Sequence, residues 1–366
     1  MTKHPLVLFL AVALVLGGCI AAPKSRHAAQ QQADGTVFPP PPDEPRFYFE
    51  RTLHNRADVV PDTDSDIFRR TVTGERKTAE GISKPYGIAV HRGRVFVGDT
   101  AGRAVVVFDI PGQQFFRIGE SDPGMLITPM GMDVDQLGNL YVVDAKNKQI
   151  MVYNRDGAFQ RSIGVPEQFN RPAGLAVDAG GTRIYVVDAG GVGSQEHRVR
   201  IFDAQSGAHL SDFGKRGTGA GEFNLPRDIV VAPDGSLFVV DGGNFRVQKF
   251  TSEGAHISTF GGVGRMGGQF SRPKEVDVDA AGNVYVVDAA FGNFQIFNPE
   301  GQLLLAVGGR SNRDGPAKYM LPSGIAVDED GRVYMVDQYF RKVDVYRPAS
   351  LEAEAGFVTK KPEVKE

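Results

Sequence analysis

Apolar residues along this chain come in short runs of the strand type, and no long helical stripe interrupts them. Six stretches open on a proline and continue with small or β-branched residues: KPYGIAV, TPMGMDV, RPAGLAV, LPRDIVV, RPKEVDV and LPSGIAV. Their prolines, 85, 129, 172, 226, 273 and 322, are 44, 43, 54, 47 and 49 residues apart. Between 14 and 16 residues after each proline, an aromatic-containing run ends in an aspartate: VFVGD, LYVVD, IYVVD, LFVVD, VYVVD and VYMVD, with Gly98 interrupting the first. A third run ends at Phe108, Tyr153, Phe202, Phe250, Phe297 and Tyr346, and a weaker fourth often ends in Phe-Gly or Ile-Gly. Four such runs per unit, punctuated by Gly, Asp and Asn, predict a small antiparallel sheet. A sheet apolar on both faces is stable only when both are covered. Six sheets of about 45 residues each cover one another around an axis, which predicts an all-β, six-bladed β-propeller of four-stranded antiparallel blades.

The sixth unit supplies only three strands before the chain turns polar. RFYFERTL, residues 46–53, is a lone strand-like run ahead of the first unit. It is expected to pair into the last blade, so that an N-terminal strand closes the ring and removes the exposed edges. The propeller then spans 46–348, and the charged residues 349–366 read as a disordered tail.

The pattern P-x-G-[IV]-A-V-D, then G-x-[LV]-Y-V-V-D, then N-x-R-V-x-x-F and a final F-G resembles the NHL repeat over roughly residues 80–348. DGGNFRVQKF, with Asn244 and Arg246, matches its second half well. The arginine frequent on the family's third strand is present as Arg198 and Arg246; Ala104, Gln149, Asn293 and Lys342 stand at the matching places. The glycine after Pro-x is replaced by Asp228 in blade four and Glu275 in blade five. The resemblance implies a fold and leaves the activity open, since propellers of this type host unrelated functions.

The N-terminus changes the picture of where the protein works. MTKHPLVLFLAVALVLGGC has Lys3, an apolar run from Leu6 to Gly18, then Cys19. That run is shorter than the ~20 residues a membrane-spanning helix needs and fits a signal peptide, residues 1–18. Leu16-Gly17-Gly18-Cys19 resembles the bacterial lipobox, which implies lipidation of Cys19, the only cysteine in the chain. Ile20, where an Asp would signal retention, resembles the sorting pattern for the outer membrane. Residues 19–45, ending FPPPPDEPR, read as a Pro-rich polyproline tether. The expectation is an exported lipoprotein of the cell envelope, anchored in the membrane through Cys19. The net charge of −3 gives no electrostatic footprint for nucleic acid.

Strand order places the loop after each second-strand aspartate on the same face as the Pro-x-Gly turns, and candidate chemistry concentrates there. Asp99, Asp144, Asp188, Asp241, Asp288 and Asp337 recur in every blade, so they read as structural turn caps; a Ca²⁺ ion held by converging loop carboxylates is the alternative. Arg227, Asp228, Lys274 and Glu275 break the repeat in adjacent blades and read as neighbouring charges on the rim, where they recognise a ligand or form ion pairs. Tyr86, Phe245, Phe291, Tyr339 and Phe340 complete the composition of a binding hot spot. The aspartate-to-aromatic distance is 9 residues in five blades and 14 from Asp188 to Phe202. This insertion, AGGVGSQEHRV, reads as a flexible rim loop that carries Glu196 and His197, the face's one histidine. A three-histidine zinc site, which relatives with amidating-lyase activity would imply, cannot be assembled from these loops. No nucleophile elbow, phosphate loop or Cys–His pair is present, so no catalytic residue, metal ligand or cofactor is assigned. The reading is a binding or scaffold module for an envelope protein, peptide or glycan. A metal-dependent lactonase- or lyase-like enzyme with Ca²⁺ or Zn²⁺ at the central channel is the alternative.

Overall fold

A computed structural model describes residues 36–73 and 80–359, and shows a six-bladed β-propeller of antiparallel blades. The signal segment, Cys19 and the end of the chain from 360 lie outside the described residues. The inner strands of the blades are Pro85–His91, Pro129–Val134, Pro172–Val177, Ile229–Val231, Pro273–Val278 and Pro322–Val327. Each neighbours the next, and the sixth returns to the first. In five blades the opening proline sits opposite the second-strand aspartate, as in Pro85 with Asp99 and Pro322 with Asp337. A register shift follows within three residues of that proline, as between Pro85 and Ile88. Blade four has no such pairing and its inner strand is shorter, where Arg227-Asp228 replace the small residue and glycine of its siblings.

The hydrophobic core is six separate layers, each joining two adjacent blades. The second-strand aromatics Phe96, Tyr141, Tyr185, Phe238, Tyr285 and Tyr334 fill them, all at most 3% exposed. Three of the tyrosines keep their hydroxyls satisfied: Tyr141, Tyr285 and Tyr334 donate to Asp135, Asp279 and Asp328, which cap the turns between first and second strands. This meets the requirement that a buried hydroxyl find a partner.

The seam of the ring lies in blade six. Phe47–Leu53 pairs antiparallel with Lys342–Pro348, from Phe47 opposite Pro348 to Leu53 opposite Val343. Phe47 and Phe49 enter the layer between blades five and six, and Leu53 enters the one between six and one. The pairing reaches further than the sequence indicates. Val37–Phe38, read as tether, adds a short fifth strand, because Phe38 finds the ring of Tyr346 at 5.7 Å.

The C-terminal stretch also corrects the sequence reading. Residues 349–359 do not run free as a solvated tail. Val358 is buried in the layer between blades six and one, and Ala355 accepts a hydrogen bond from Arg332 Nη2 at 3.0 Å. Two apolar residues, Phe357 and Val358, are enough to fold back a segment that its charge pattern makes look soluble. Arg332 is fully buried and also pairs with Glu50 of the closing strand at 2.8 Å and Asp330 at 3.4 Å. A buried guanidinium stripped of a partner is strongly destabilising. Arg332 therefore ties the first and last described segments to one blade.

Candidate functional site

The six recurrent aspartates are fully buried and each clamps its own blade. Asp144 accepts from the backbone N–H groups of Ile127 and Thr128, which precede the inner strand, and of Lys146 and Asn147 in the loop beyond. Asp288 and Asp337 repeat this with Ser271, Arg272, Ala290 and Phe291, and with Met320, Leu321, Tyr339 and Phe340. Asp99 holds Ser83, Lys84 and Gly102. Asp188 holds Asn170 and Arg171 and lies 3.5 Å from Arg198, whereas Asp241 holds Asn224, Asn244 and Arg246. These oxygens are occupied by N–H donors. Among the described residues no three His, Cys, Asp or Glu side chains are arranged to hold a metal ion. The six aspartates thus act as turn clamps, as the sequence suggested.

Inside the ring of inner strands lies a channel cavity of about 110 Å³. An inner strand is an edge strand, and its outward-facing N–H groups need acceptors. Carboxylates supply them across the blade boundary. Asp133 Oδ2 accepts from Val177 N at 2.9 Å, Asp228 Oδ2 from Val276 N at 3.0 Å and Asp277 Oδ2 from Val327 N at 2.6 Å. Glu275 accepts from the N–H of Ile325. Burial pushes Asp133 up to about 6 and Asp228 up to about 7. It also raises Glu275 and Asp277 well above the usual carboxylate range, with Asp228 adding to the rise of both. Loss of solvation disfavours the charged form of each acid, and the neighbouring acids reinforce the effect.

Asp228 and Glu275 are thus not rim charges. At 8% and 6% exposure they are buried in the channel wall, where the glycines of neighbouring blades leave them room. A Cβ on Gly174 would meet Asp228 Oδ1 at 2.4 Å, and one on Gly324 would meet Glu275 Oε2 at 3.0 Å. Asp133 and Asp277 were not singled out by the sequence, although both stand four residues after the proline where Ala89, Ala176, Val230 and Ala326 occupy the other blades. That departure from the siblings was the available signal.

Their partners in the sequence are half-buried. Arg227 and Lys274, one residue after their prolines, flank the mouth with Tyr86, which holds the same place in blade one. Lys274 Nζ sits over the Tyr86 ring at 5.7 Å. Burial pushes the Tyr86 hydroxyl up to about 12; Glu275 adds to the rise, and Arg227 and Arg171 oppose it. Burial lowers Lys274; Glu275 opposes that, and Arg227 and Arg272 reinforce it. Arg171, Arg227, Arg272 and Lys274 come from three adjacent blades, and none forms an ion pair among the described residues.

Of the remaining candidates, Tyr339 is 62% exposed and meets Phe340 edge-on at 5.1 Å, with Lys342 over the Phe340 ring. Phe291 is half-buried. Phe245 is no rim aromatic: it packs against the layer between blades four and five. His197 is the other correction, being fully buried. Its Nδ1 lies 3.2 Å from Leu225 N and 3.3 Å from Phe223 O, and its Nε2 lies 3.0 Å from Gly191 O. The histidine therefore pins the blade-three insertion to the strand lead-in of blade four, leaving Val192 at 74% and Glu196 exposed. Glu196 stays within 3.5 Å of Arg198.

A model of the NHL repeat matches residues 223–250. The protein brain tumor of Drosophila melanogaster is 33% identical over 147 residues, 38% of this chain and 13% of that protein. NHL repeat-containing protein 3 of Homo sapiens is 35% identical over 88 residues, 24% of each. The chain therefore matches only about an eighth and a quarter of the length of these relatives. Among solved structures, a gluconolactonase from Xanthomonas campestris superposes with a TM-score of 0.56 at 17% identity, covering 73% of this chain and 86% of that one. At that identity the likeness is one of fold.

Proposed function

For a chain built of NHL repeats and folded as a six-bladed propeller, we propose the role of a binding module, with a protein, peptide or glycan taken up on the loop face at the mouth of the channel. One observation carries this reading: Arg171, Arg227, Arg272 and Lys274, from three adjacent blades, gather around Tyr86 at the mouth, Arg171 and Arg227 acting on Tyr86 and Arg227 and Arg272 on Lys274. An arc of cations, with Tyr339 exposed in the following blade, has the composition of a recognition surface. Enzymatic lactone hydrolysis of the kind named for the Xanthomonas neighbour is the second reading; it is favoured only by the shared fold and by the row of channel acids.

A panel of immobilised glycans and peptides tests the reading. The full chain is expected to bind a subset, and the combined changes Arg171→Ala, Arg227→Ala, Arg272→Ala and Tyr339→Ala are expected to remove that binding with the melting temperature preserved. Binding that survives all four changes would place the ligand elsewhere. In this reading the propeller works at the cell envelope, exported and held by a lipid on Cys19. Cys19→Ser is expected to shift the protein from the membrane to the soluble fraction; an unchanged membrane fraction would refute the anchor.

A further inference from the structure

The connection from the closing strand to blade one holds the one α-helix among the described residues, Asp64–Thr73. A bridge between Asn55 and Gly81 closes the base of this excursion. Thr63 and Asp66 cap the helix reciprocally: Asp66 N donates to Thr63 Oγ1 at 3.2 Å, and Thr63 N donates to Asp66 Oδ2 at 3.3 Å. Ile67, Phe68 and Val72 fall on one side of the helix, with Asp66, Arg69 and Thr73 behind them. The apolar side faces outward: Ile67 is 44% exposed, Phe68 69% and Val72 64%. Among the described residues, none of the three joins a core layer. A helix of 10 residues is marginal in water by itself and ordinarily draws its stability from packing its apolar side. This one turns that side to solvent.

The patch is too small for a stable protein partner. Three such side chains cover roughly 400 Å², about a third of the ~1,200 Å² at which stable protein interfaces begin. A bilayer sets no such minimum, because it takes up single apolar side chains into the boundary between headgroups and acyl chains. From Ile67 to Thr73 the helix carries Arg69, Arg70 and no carboxylate, which suits anionic headgroups. The envelope reading brings a bilayer within reach: Cys19 precedes the first described residue, Thr36, by 17 residues, which span at most about 60 Å. We propose that the helix lies on the membrane, with Ile67, Phe68 and Val72 inserted about 5–10 Å into the headgroup–acyl boundary and Arg69 turned back to the phosphates. This rests on the envelope reading, with its lipid on Cys19, and adds a second membrane contact. A lipid alone leaves open which side of the propeller meets the bilayer; the helix commits the side at the seam between blades six and one.

The chain contains no tryptophan, so Phe68→Trp installs a single fluorescent reporter on the helix. The full chain carrying it is combined with vesicles of phosphatidylcholine and phosphatidylglycerol, and its emission is read with and without brominated acyl chains. Emission is expected to shift to the blue and to be quenched by the brominated lipid, more strongly when the bromine lies near the headgroup than at the chain end. Adding Ile67→Glu and Val72→Glu is expected to remove both effects and leave the melting temperature unchanged, because neither residue belongs to a core layer. Ile257→Trp, at a position 50% exposed on the outer strand of blade four, across the ring, is expected to stay unquenched. A reporter on the helix that remains unquenched overturns the proposal; if the protein is still in the membrane fraction, the lipid on Cys19 stands without it. If the mass of the Cys19 peptide shows no lipid, quenching on the helix supports the proposal and the anchor alone falls. Equal quenching at both positions would mean adsorption without the helix and overturns the inference. So does a blue shift that is present before lipid is added and grows with protein concentration, which would mean that a second copy covers the face.

Discussion

A chain that starts at His54, without the closing strand, is expected to lose cooperative unfolding and to aggregate. The deletion takes Phe47 and Phe49 out of one inter-blade layer and Leu53 out of another. Emptying a buried Phe or Leu site costs about 2–5 kcal/mol each. Two polar anchors go as well: the hydrogen bond from Thr52 Oγ1 to Asp344 at 2.8 Å, and Glu50, which partners the fully buried Arg332. The total, about 10 kcal/mol or more, equals the whole stability of an ordinary domain, roughly 5–15 kcal/mol. The strand Lys342–Pro348 would also become an exposed edge, ready to pair with another molecule. Thermal unfolding followed by circular dichroism, with size-exclusion chromatography, checks this. A monodisperse product with an unchanged melting temperature would show that the ring closes without the strand. Phe49→Ala should give a smaller loss, about 3–5 kcal/mol, with the ring intact.

The fold is expected to be more stable near pH 5 than at pH 8. The sign follows from the channel acids. Burial raises Asp133 from 3.8 to about 6 and Asp228 from 3.8 to about 7, so between those values the folded state binds protons that the unfolded chain has released. Stability is then fully present below about pH 4 and falls as pH rises through 6 and 7. Asp277 and Glu275, raised in the same direction, extend the loss upward. At about 1.4 kcal/mol per pH unit and per proton, and allowing for the opening of the channel to solvent, the difference is on the order of 3–5 kcal/mol. The opposite trend sets the acid limit. Hydrogen bonds from His209 and Arg200 outweigh burial and hold Asp212 below 3.8, so its contribution disappears as pH falls through that range. Urea denaturation at pH 5, 6.5 and 8 gives the comparison directly. Equal stabilities, or a maximum at pH 8, would mean that the channel acids remain charged in the folded protein.

The fold was legible because its signals repeat. Six prolines, six aspartates and six buried aromatics at matching spacings leave little freedom in the strand assignment, and the missing fourth strand of the last unit pointed to Phe47–Leu53. The site was legible only where the repeat breaks. Asp228 and Glu275 were visible as departures, but whether they faced solvent or the axis depended on glycines in the neighbouring blades, 174 and 324, which no local pattern connects to them. Asp133 was hidden in a strand that otherwise obeys the pattern, and Asp277 stands two residues beyond the more conspicuous Glu275 in the same strand. His197 looked accessible because it stands in a glycine-rich insertion; its burial depends on Leu225 and Gly191 meeting it from two directions.

The seam has a consequence for where the chain begins. Ala349 N donates to Arg46 O at 2.8 Å, so the two ends of the propeller meet as hydrogen-bonded neighbours in blade six. Joining them by a short linker and cutting the backbone in the exposed blade-three insertion, between Val192 and Gly193, would yield a circular permutant that keeps the strand pairings of all six blades, gives up the contacts of Phe38, Ala355 and Val358, and has different ends. Blade six would then be continuous in sequence, and blade three would depend on a non-covalent closure. The place where the ring opens first belongs to the order of synthesis, and it moves when the chain is made to start elsewhere.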